Sequence, residues 1–545
     1  MILYTWATFK PLKGFAIAKK GEMVYNRYVM SKKRRRMEKM KKYLTSSEYC
    51  LGIRCPSLLW KSRNADGAPS LLSERTLIKL HHRCALEKYR ELISDCLHIN
   101  SDSCTEAKKE TDAAIGRGAL CISGATFISG DLCARCDVIK RRSDGTYALY
   151  VVKAAAHLHQ TVCHDASFQV YVLAKNGIRV SRVFFVKLNT GYVQGESDPK
   201  ELFLLENISA RVASLVGGVE GRAGNMQKLM SKSEMPQTPI HNGCFAPSDC
   251  ENRDICFAHL PKDNIFTLSG ISHQIKFKLY RSRRYNVGDV LREGGLTPRQ
   301  KKQLEMFEQG LPPEIDRENI EKFLSQIKYP IAYLDFETMQ LPFPPFEGLR
   351  PFEPCAFQFS LHVKEKPGKR LRHTSFIARP GTDPRRAIAE ALVESIPKKG
   401  SVGAYNMQLE RMMLLSLANR FEDLRESLVS ISNRLFDMMK PFEKNWYYDG
   451  GMKGACSLKA VLHALYPDDS SLDYRRLQGV HNGQEATNVY AALSSAPGRF
   501  PEEKEILSEL EKYCALDTLA LDKLYEKLSE AVREKKPKKK AKKAV

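Results

Sequence analysis

The chain has 545 residues, of which 43% are hydrophobic, and a formal net charge of +23 at pH 7. That length is too great for one core and predicts two or three domains, with enough apolar side chains to fill them. The charge favours a polyanionic partner, most simply nucleic acid. No stretch reads as a membrane span, and the opening residues mix Trp6, Phe9, Lys10 and Lys13 instead of forming the apolar core of a signal peptide. The expected setting is cytoplasmic, without a membrane partner.

Residues 1–42 read as a basic N-terminal extension, in which KKRRRMEKMKK (32–42) holds eight basic side chains. Residues 43–262 show a mixed helix and strand pattern that ends in a cysteine-bearing stretch. Within it, GDLCARCDVIKRRSDGTYALYVVKAAA (130–156) predicts two strands joined by a polar turn, with Asp137 on the first and Lys153 on the second. Gln169 is expected near the start of the following helix, and His81 and His82 on a helix surface. Residues 263–327 read as a polar, mostly helical connector. A second α/β unit is expected over 328–528. It has strand candidates at 331–336 and 355–361, a helix over 383–396, a short strand at 401–405, a helix over 408–419, and a final helix carrying EKYCALDTLALDKLYEKL. Residues 529–545 form a basic tail, whose REKKPKKKAKK (533–543) sets eight basic side chains against one acid. Such runs suit contact with phosphate backbones without sequence readout, or serve as solubilising arms.

The chemistry concentrates in the second α/β unit. In AYLDFETM (332–339), Asp335 and Glu337 stand two apart on an apolar run. In a strand both share a face. Two like charges so close repel, and a divalent cation with oxygen ligands relieves the repulsion. In GAYNMQLERMML (403–414) a strand end runs into a helix, with Asn406 at the expected cap and Glu410 one turn in. Tyr513 and Asp517 lie four apart, on one face of the final helix. These acids suit two Mg2+ or Mn2+ ions that stabilise the attacking water and leaving oxygen of phosphodiester cleavage. The tyrosine hydroxyl would orient water, since its ordinary pKa near 10 makes it a poor general base.

This set resembles the DEDD exonucleases of the RNase H-like fold, in the tyrosine-bearing subtype. Asp335 and Glu337 match the first motif, Asn406 and Glu410 the second (with Glu410 for the usual aspartate), and Tyr513 and Asp517 the third. The resemblance implies metal ligation by Asp335, Glu337, Glu410 and Asp517. Asp437 in RLFDMMKPF is an alternative or supporting acid. The stretch is also similar to the bacterial DUF2779 family, through YLDFET, PFPPFEGLRPFEPCAFQFSLHV, PGTDPRR, AYNMQLERMMLL, SLKAVLHALYP and KYCALDTLAL. Gly483 and Glu485 in HNGQEA match another patterned point of that family, as cleft-shaping residues or as an ordinary loop.

The run 130–156 and the AFQVYVLAKNG that follows resemble the core of PD-(D/E)XK nucleases, in the Cas4-like and RecB-like branch. The resemblance assigns Asp137, Lys153 and Gln169 to that site. The E-x-K glutamate is missing, because the position reads Val151–Val152–Lys153. Valine cannot ligate a cation, so a degenerate domain retained for binding or scaffolding is expected unless another acid, such as Asp165, moves in.

Fifteen cysteines without a secretion signal argue for reduced thiols or metal ligation rather than disulfides. Cys244, Cys250 and Cys256 recur with five residues between neighbours, and Cys55 precedes them. This resembles the iron–sulfur staple of Cas4-like and AddB-like nucleases, which implies a 4Fe-4S cluster, with zinc as the alternative. Cys133 and Cys136 have C-x-x-C spacing near His157, His159, Cys163 and His164. Positions three apart on one strand face opposite sides, so core or surface thiols are expected there.

The sequence therefore predicts a divalent-metal-dependent exonuclease acting on DNA or RNA, with 3′-to-5′ polarity implied by the resemblance. A non-catalytic nucleic-acid-binding scaffold and a nucleotide phosphohydrolase are the alternatives.

Overall fold

A computed structural model describes residues 43–64, 74–246, 250–477, 480, 482–495, 498, 500 and 502–533. The basic extension and the tail beyond Arg533 lie outside the described residues. The fold is mixed α/β. It divides into two compact units, residues 1–257 with 341–353, and residues 258–340 with 354–545. Among the described residues no helix is long and apolar enough to cross a membrane.

The first unit contains strands β1 (Leu44–Thr45), β2 (Leu97–His98), β3 (Cys121–Ser123), β4 (Thr126–Ser129), β5 (Leu132–Arg135), β6 (Val138–Arg141), β7 (Tyr147–Val152), β8 (Val180–Leu188) and β9 (Phe203–Asn207). They form a three-stranded sheet of order β1-β5-β4 and a six-stranded sheet of order β2-β3-β6-β7-β8-β9. Aromatic and β-branched residues fill β7, as its place inside a sheet requires. Tyr147, Leu149 and Val151 enter one core with Ile139 and Val183, while Val152 joins Val138 and Val186 in another. Four helices position the chemistry: α1 (Ser46–Arg54), α2 (Glu74–Glu91), α3 (Cys104–Gly116) and α4 (Gln160–Lys175). Thr45 and Glu48 form a reciprocal capping box that starts α1.

The run 130–156 differs from its two-strand expectation. It makes three strands, and Cys136 and Asp137 carry the chain from the three-stranded sheet into the six-stranded one. Asp137 therefore sits between strands, and Lys153 directly after one. Gln169 is well inside α4, not near its start, because that helix begins as early as Gln160.

In the second unit the stretch read as a connector holds helices at His273–Arg281, Val287–Glu293, Pro298–Glu308 and Arg317–Ser325. The central sheet follows, with β10 (Ile331–Gln340), β11 (Pro354–Lys364), β12 (Arg372–Ile377), β13 (Ser401–Ala404) and β14 (Leu435–Asp437) in the order β12-β11-β10-β13-β14. The first three pair antiparallel; β13 runs parallel to both β10 and β14. Helices α5 (Arg385–Ser395), α6 (Gln408–Arg420) and α7 (Arg425–Asn433) supply one side of the core. Ala332, Leu334 and Phe336 of β10 pack there with Leu392, Leu414 and Leu428. Complete burial of each large side chain contributes roughly 1.5–3 kcal/mol.

The alternate residues of β10 and β11 face the last helix. After α8 (Leu458–Leu465) and α9 (Gly483–Ser495), α10 (Glu503–Arg533) crosses this face. Asp335 pairs with Ser360 and Glu337 with Gln358 in the β10–β11 register. Gln358 donates to Leu510 O at 2.9 Å, and Thr518 Oγ1 lies 2.8 Å from both Ser360 Oγ and His362 Nδ1. Lys364 binds Asp522 at 3.0 Å and Glu526 at 2.6 Å. These bonds pair most of the polar groups that helix packing removes from water, Gln358 Oε1 staying without a partner, and they fix which residues of α10 face the strand acids.

Candidate metal centre

Asp335 and Glu337 project from β10 onto the side covered by α10, as the two-residue period of a strand requires. Opposite them, Tyr513, Cys514 and Asp517 lie on consecutive turns of α10 and are buried. The thiol of Cys514 donates to Asp335 Oδ2 at 3.3 Å. One ligand atom each from Asp335, Glu337 and Cys514 fall within 4.8 Å of one another. Asp517 accepts a very short hydrogen bond from the Tyr474 hydroxyl.

The fourth carboxylate comes from α6. Asn406 does not cap this helix, contrary to its expected role; Met407 occupies that position without a side-chain bond. Asn406 instead adopts φ +59°, in the left-handed region, and turns the chain from β13 into α6. Asp437 holds that turn by accepting from the backbone N–H groups of Asn406 and Met439, both at 2.9 Å. Glu410 is 2% exposed, and its Oε2 has no hydrogen-bond partner. Asp437 is thus occupied in supporting the turn, while Glu410 presents a buried acceptor.

The electrostatics bind these acids into one site. Burial, then the charges of Asp517, Glu337 and Glu410, push the Asp335 carboxyl well above its ordinary range. Burial and Asp517 do the same to Glu337. Glu410 is pushed up to about 8 by burial and by Asp437, and Asp517 to about 6 by burial, against the hydrogen bond from Tyr474 and the charge of Lys459. Four such carboxyls remain together either by holding protons or by sharing cations. The unpartnered Glu410 oxygen and the hard carboxylate donors of Asp335 and Glu337 suit a divalent ion.

Three flanking residues escaped the sequence reading. Tyr474 orients Asp517, and Cys514 contacts Asp335. Lys459, at the start of α8, sits 4.5 Å from the Tyr474 ring centre and 4.8 Å from that of Tyr513. Its charge favours the ionised forms of Glu337 and Asp517. The Lys459 signal was present in SLKAVLHALYP but had no spacing to tie it to the acids. At the other side, a Cβ on Gly483 would lie 3.8 Å from Glu337 Oε2, so α9 starts beside this carboxylate. Glu485 binds Asn482 in the same turn and adds negative potential near Lys459. Burial, then Asp517, Glu337 and Asp335, raises the Tyr513 hydroxyl far above its usual value, so it keeps its proton and can act as a hydrogen-bond donor.

Residues 332–457 match the family model described as Domain of unknown function (DUF2779). A DUF2779 domain therefore spans β10 to the approach of α8. It includes Asp335, Glu337, Glu410 and Asp437, whereas Lys459, Tyr474, Tyr513, Cys514 and Asp517 follow it in the chain. No curated protein and no solved structure matches the chain.

In the first unit, Lys153 lies 2.9 Å from Asp165 and 3.7 Å from Asp137. Asp137 also accepts from Val152 N, and Asp165 from Gln169 Nε2 at 2.7 Å. Val151 is fully buried in the apolar core. Burial works to raise Asp165, yet the charge and hydrogen bond of Lys153 hold it below its ordinary value. His82 departs from its helix-surface expectation: its Nδ1 accepts from Ala154 N at 3.0 Å, and burial lowers its pKa to about 3. His81 on the same helix is also held down, to about 4, by burial.

The thiols of Cys55, Cys244 and Cys250 are each close enough to raise that of Cys256, after burial. Cys133 and Cys136 diverge. The former meets Cys104 at 2.7 Å between sulfurs, and the latter is buried in the apolar core. The expectation of thiols without disulfides is corrected at one pair, since Cys96 and Cys121 are bonded. The chain segments before β2 and at β3 run side by side, which brings those two residues together.

Proposed function

We propose that the second unit is a divalent-metal-dependent exonuclease of the RNase H-like, DEDD type, cutting DNA or RNA from the 3′ end. The observation that carries this reading is Glu410. Its Oε2 is buried without a partner, and its charge acts on Asp335, on which Glu337 and Asp517 also act, although the four come from three separate elements. Asp335, Glu337, Glu410 and Asp517 would hold Mg2+ or Mn2+, which supplies charge stabilisation for the attacking and leaving oxygens. Tyr474 orients Asp517, and Tyr513 orients water through its hydroxyl. Lys459 adds a fixed positive charge beside the acids for an anionic substrate.

The same reading treats the first unit as a PD-(D/E)XK-like guide for nucleic acid in a cytoplasmic protein. Lys153 neutralises Asp137 and Asp165 internally, which supports a binding rather than a catalytic role. Cys55, Cys244, Cys250 and Cys256 would carry a 4Fe-4S cluster, with zinc as the alternative. The basic segments at 32–42 and 533–543 would add phosphate contacts.

The test uses anaerobically purified wild type and Asp335→Asn with end-labelled single- and double-stranded DNA and RNA in Mg2+ or Mn2+. A product ladder that shortens from the 3′ end, and is absent in the variant, is the expected result. Equal cleavage by both proteins would remove the chemistry from this site. Binding without cleavage would favour a scaffold, and activity on mononucleotides alone a phosphohydrolase.

A further inference from the structure

The Cys514 thiol enters the carboxylate cluster, although a centre for hard cations needs only oxygen donors. Its Sγ is buried, donates to Asp335 Oδ2 at 3.3 Å, and belongs to the donor triplet with Asp335 and Glu337 that spans no more than 4.8 Å. Serine would supply the same hydrogen bond. Sulfur supplies something further, a polarizable ligand that magnesium does not use and that ions of the zinc class favour. A separate observation also points to a cation. Glu410 Oε2 is buried without a partner, and its charge reaches Asp335 from the side of α6.

Zinc-class ions bind thiolate at about 2.3 Å and carboxylate oxygen at about 2.0–2.2 Å. Donors around such an ion lie about 3–4 Å apart, so the observed triplet needs only a small side-chain closure. We propose that Asp335, Glu337 and Cys514 form a site for a thiophilic divalent cation. On binding, the ion forms bonds to sulfur and to the carboxylate oxygens, and the thiol proton and any proton held by the two carboxyls leave to solvent; nothing is oxidised or reduced. The occupied site excludes magnesium, so ions of this class switch the hydrolase off. That consequence rests on the nuclease reading, whereas the binding site itself does not.

The experiment titrates the full-length protein with Cd2+ and follows the ultraviolet sulfur-to-cadmium charge-transfer band in wild type, Cys514→Ser and Asp335→Asn. The other cysteines contribute equally to all three proteins. Both variants are expected to lose one equivalent of Cd2+-dependent absorbance, and Asp335→Asn does so with every thiol intact. Superimposable titrations of the three proteins would overturn the proposal. Loss in Cys514→Ser alone would overturn it too, because the carboxylates would then take no part. A lost band in both variants, with no hydrolysis of any nucleic acid by wild type in Mg2+, would uphold the cation site while removing the nuclease reading.

Discussion

The Tyr474 hydroxyl donates to Oδ1 of Asp517, across 43 residues of sequence. This bond favours the ionised carboxylate and fixes its orientation beside Asp335 and Glu337. Tyr474→Phe removes the donor without removing the ring. A hydrogen bond to a charged group is worth about 1.5–3 kcal/mol, so turnover should fall roughly ten- to a hundredfold. The acid limb of the pH–rate profile should also move to higher pH, because Asp517 loses the bond that lowers its pKa. An unchanged profile in a rate measurement across pH would remove Tyr474 from the site.

Asp335→Asn should separate activity from stability. Turnover in Mg2+ falls by about a thousandfold or more, since a charged ligand at the centre of the site is lost. In a chelator, thermal melting should give a higher Tm than wild type, because one of four crowded carboxyls no longer needs a proton. A lower Tm under chelation would show that Asp335 has a structural role instead.

The sign of the pH dependence follows from Glu410. Its pKa rises from an ordinary 4.5 to about 8 on folding. Between those values the folded chain holds a proton that the unfolded chain releases, so stability falls as pH rises. The contribution is complete below about 4.5 and is lost progressively up to about 8. Mg2+ reverses the trend by favouring the ionised carboxyls. Added Mg2+ should therefore raise the melting temperature more at pH 8 than at pH 5.5, and Glu410→Gln should flatten the metal-free profile. Equal Mg2+ shifts at both pH values would contradict this.

Lys153 gives the corresponding prediction for the first unit. Lys153→Met leaves the buried Asp165 and the half-buried Asp137 without their shared cation. Breaking such a pair costs about 3–5 kcal/mol, measurable by urea denaturation. Adding Asp165→Asn to that variant should recover part of the loss. No recovery would mean that the lysine acts through packing alone.

His82 should make the same unit acid-sensitive. Its folded-state pKa, about 3, lies below the ordinary 6.5, so the unfolded chain gains a proton first as pH falls. Stability is complete above about 6.5 and declines toward about 3. His82→Gln should weaken this decline in acid unfolding followed by circular dichroism.

Much of the second unit was legible because its signals are local. The two-residue period put Asp335 and Glu337 on one face, and four-residue spacing did the same for Tyr513 and Asp517. The same alternation sends Ala332, Leu334 and Phe336 into the core on the other side of β10. The strand at 355–361 extends to Pro354–Lys364, because pairing on both edges and polar bonds to α10 keep it regular past its apolar segment.

The sequence by itself determined the charge, the apolar periods and the short-range acid pairs, since each depends on backbone geometry within a few residues. Tertiary structure decided which distant groups share space. It put the Asp437 Oδ1 into the Asn406 turn through two backbone bonds and left Glu410 Oε2 buried without a partner. It brought Tyr474, Lys459 and Cys514 to the acids, and Asp165 to Lys153. No local spacing encodes those meetings: packing of α10 on β10 and of α4 on β4, β5 and β8 helps bring them about, and burial then sets how strongly the charges act.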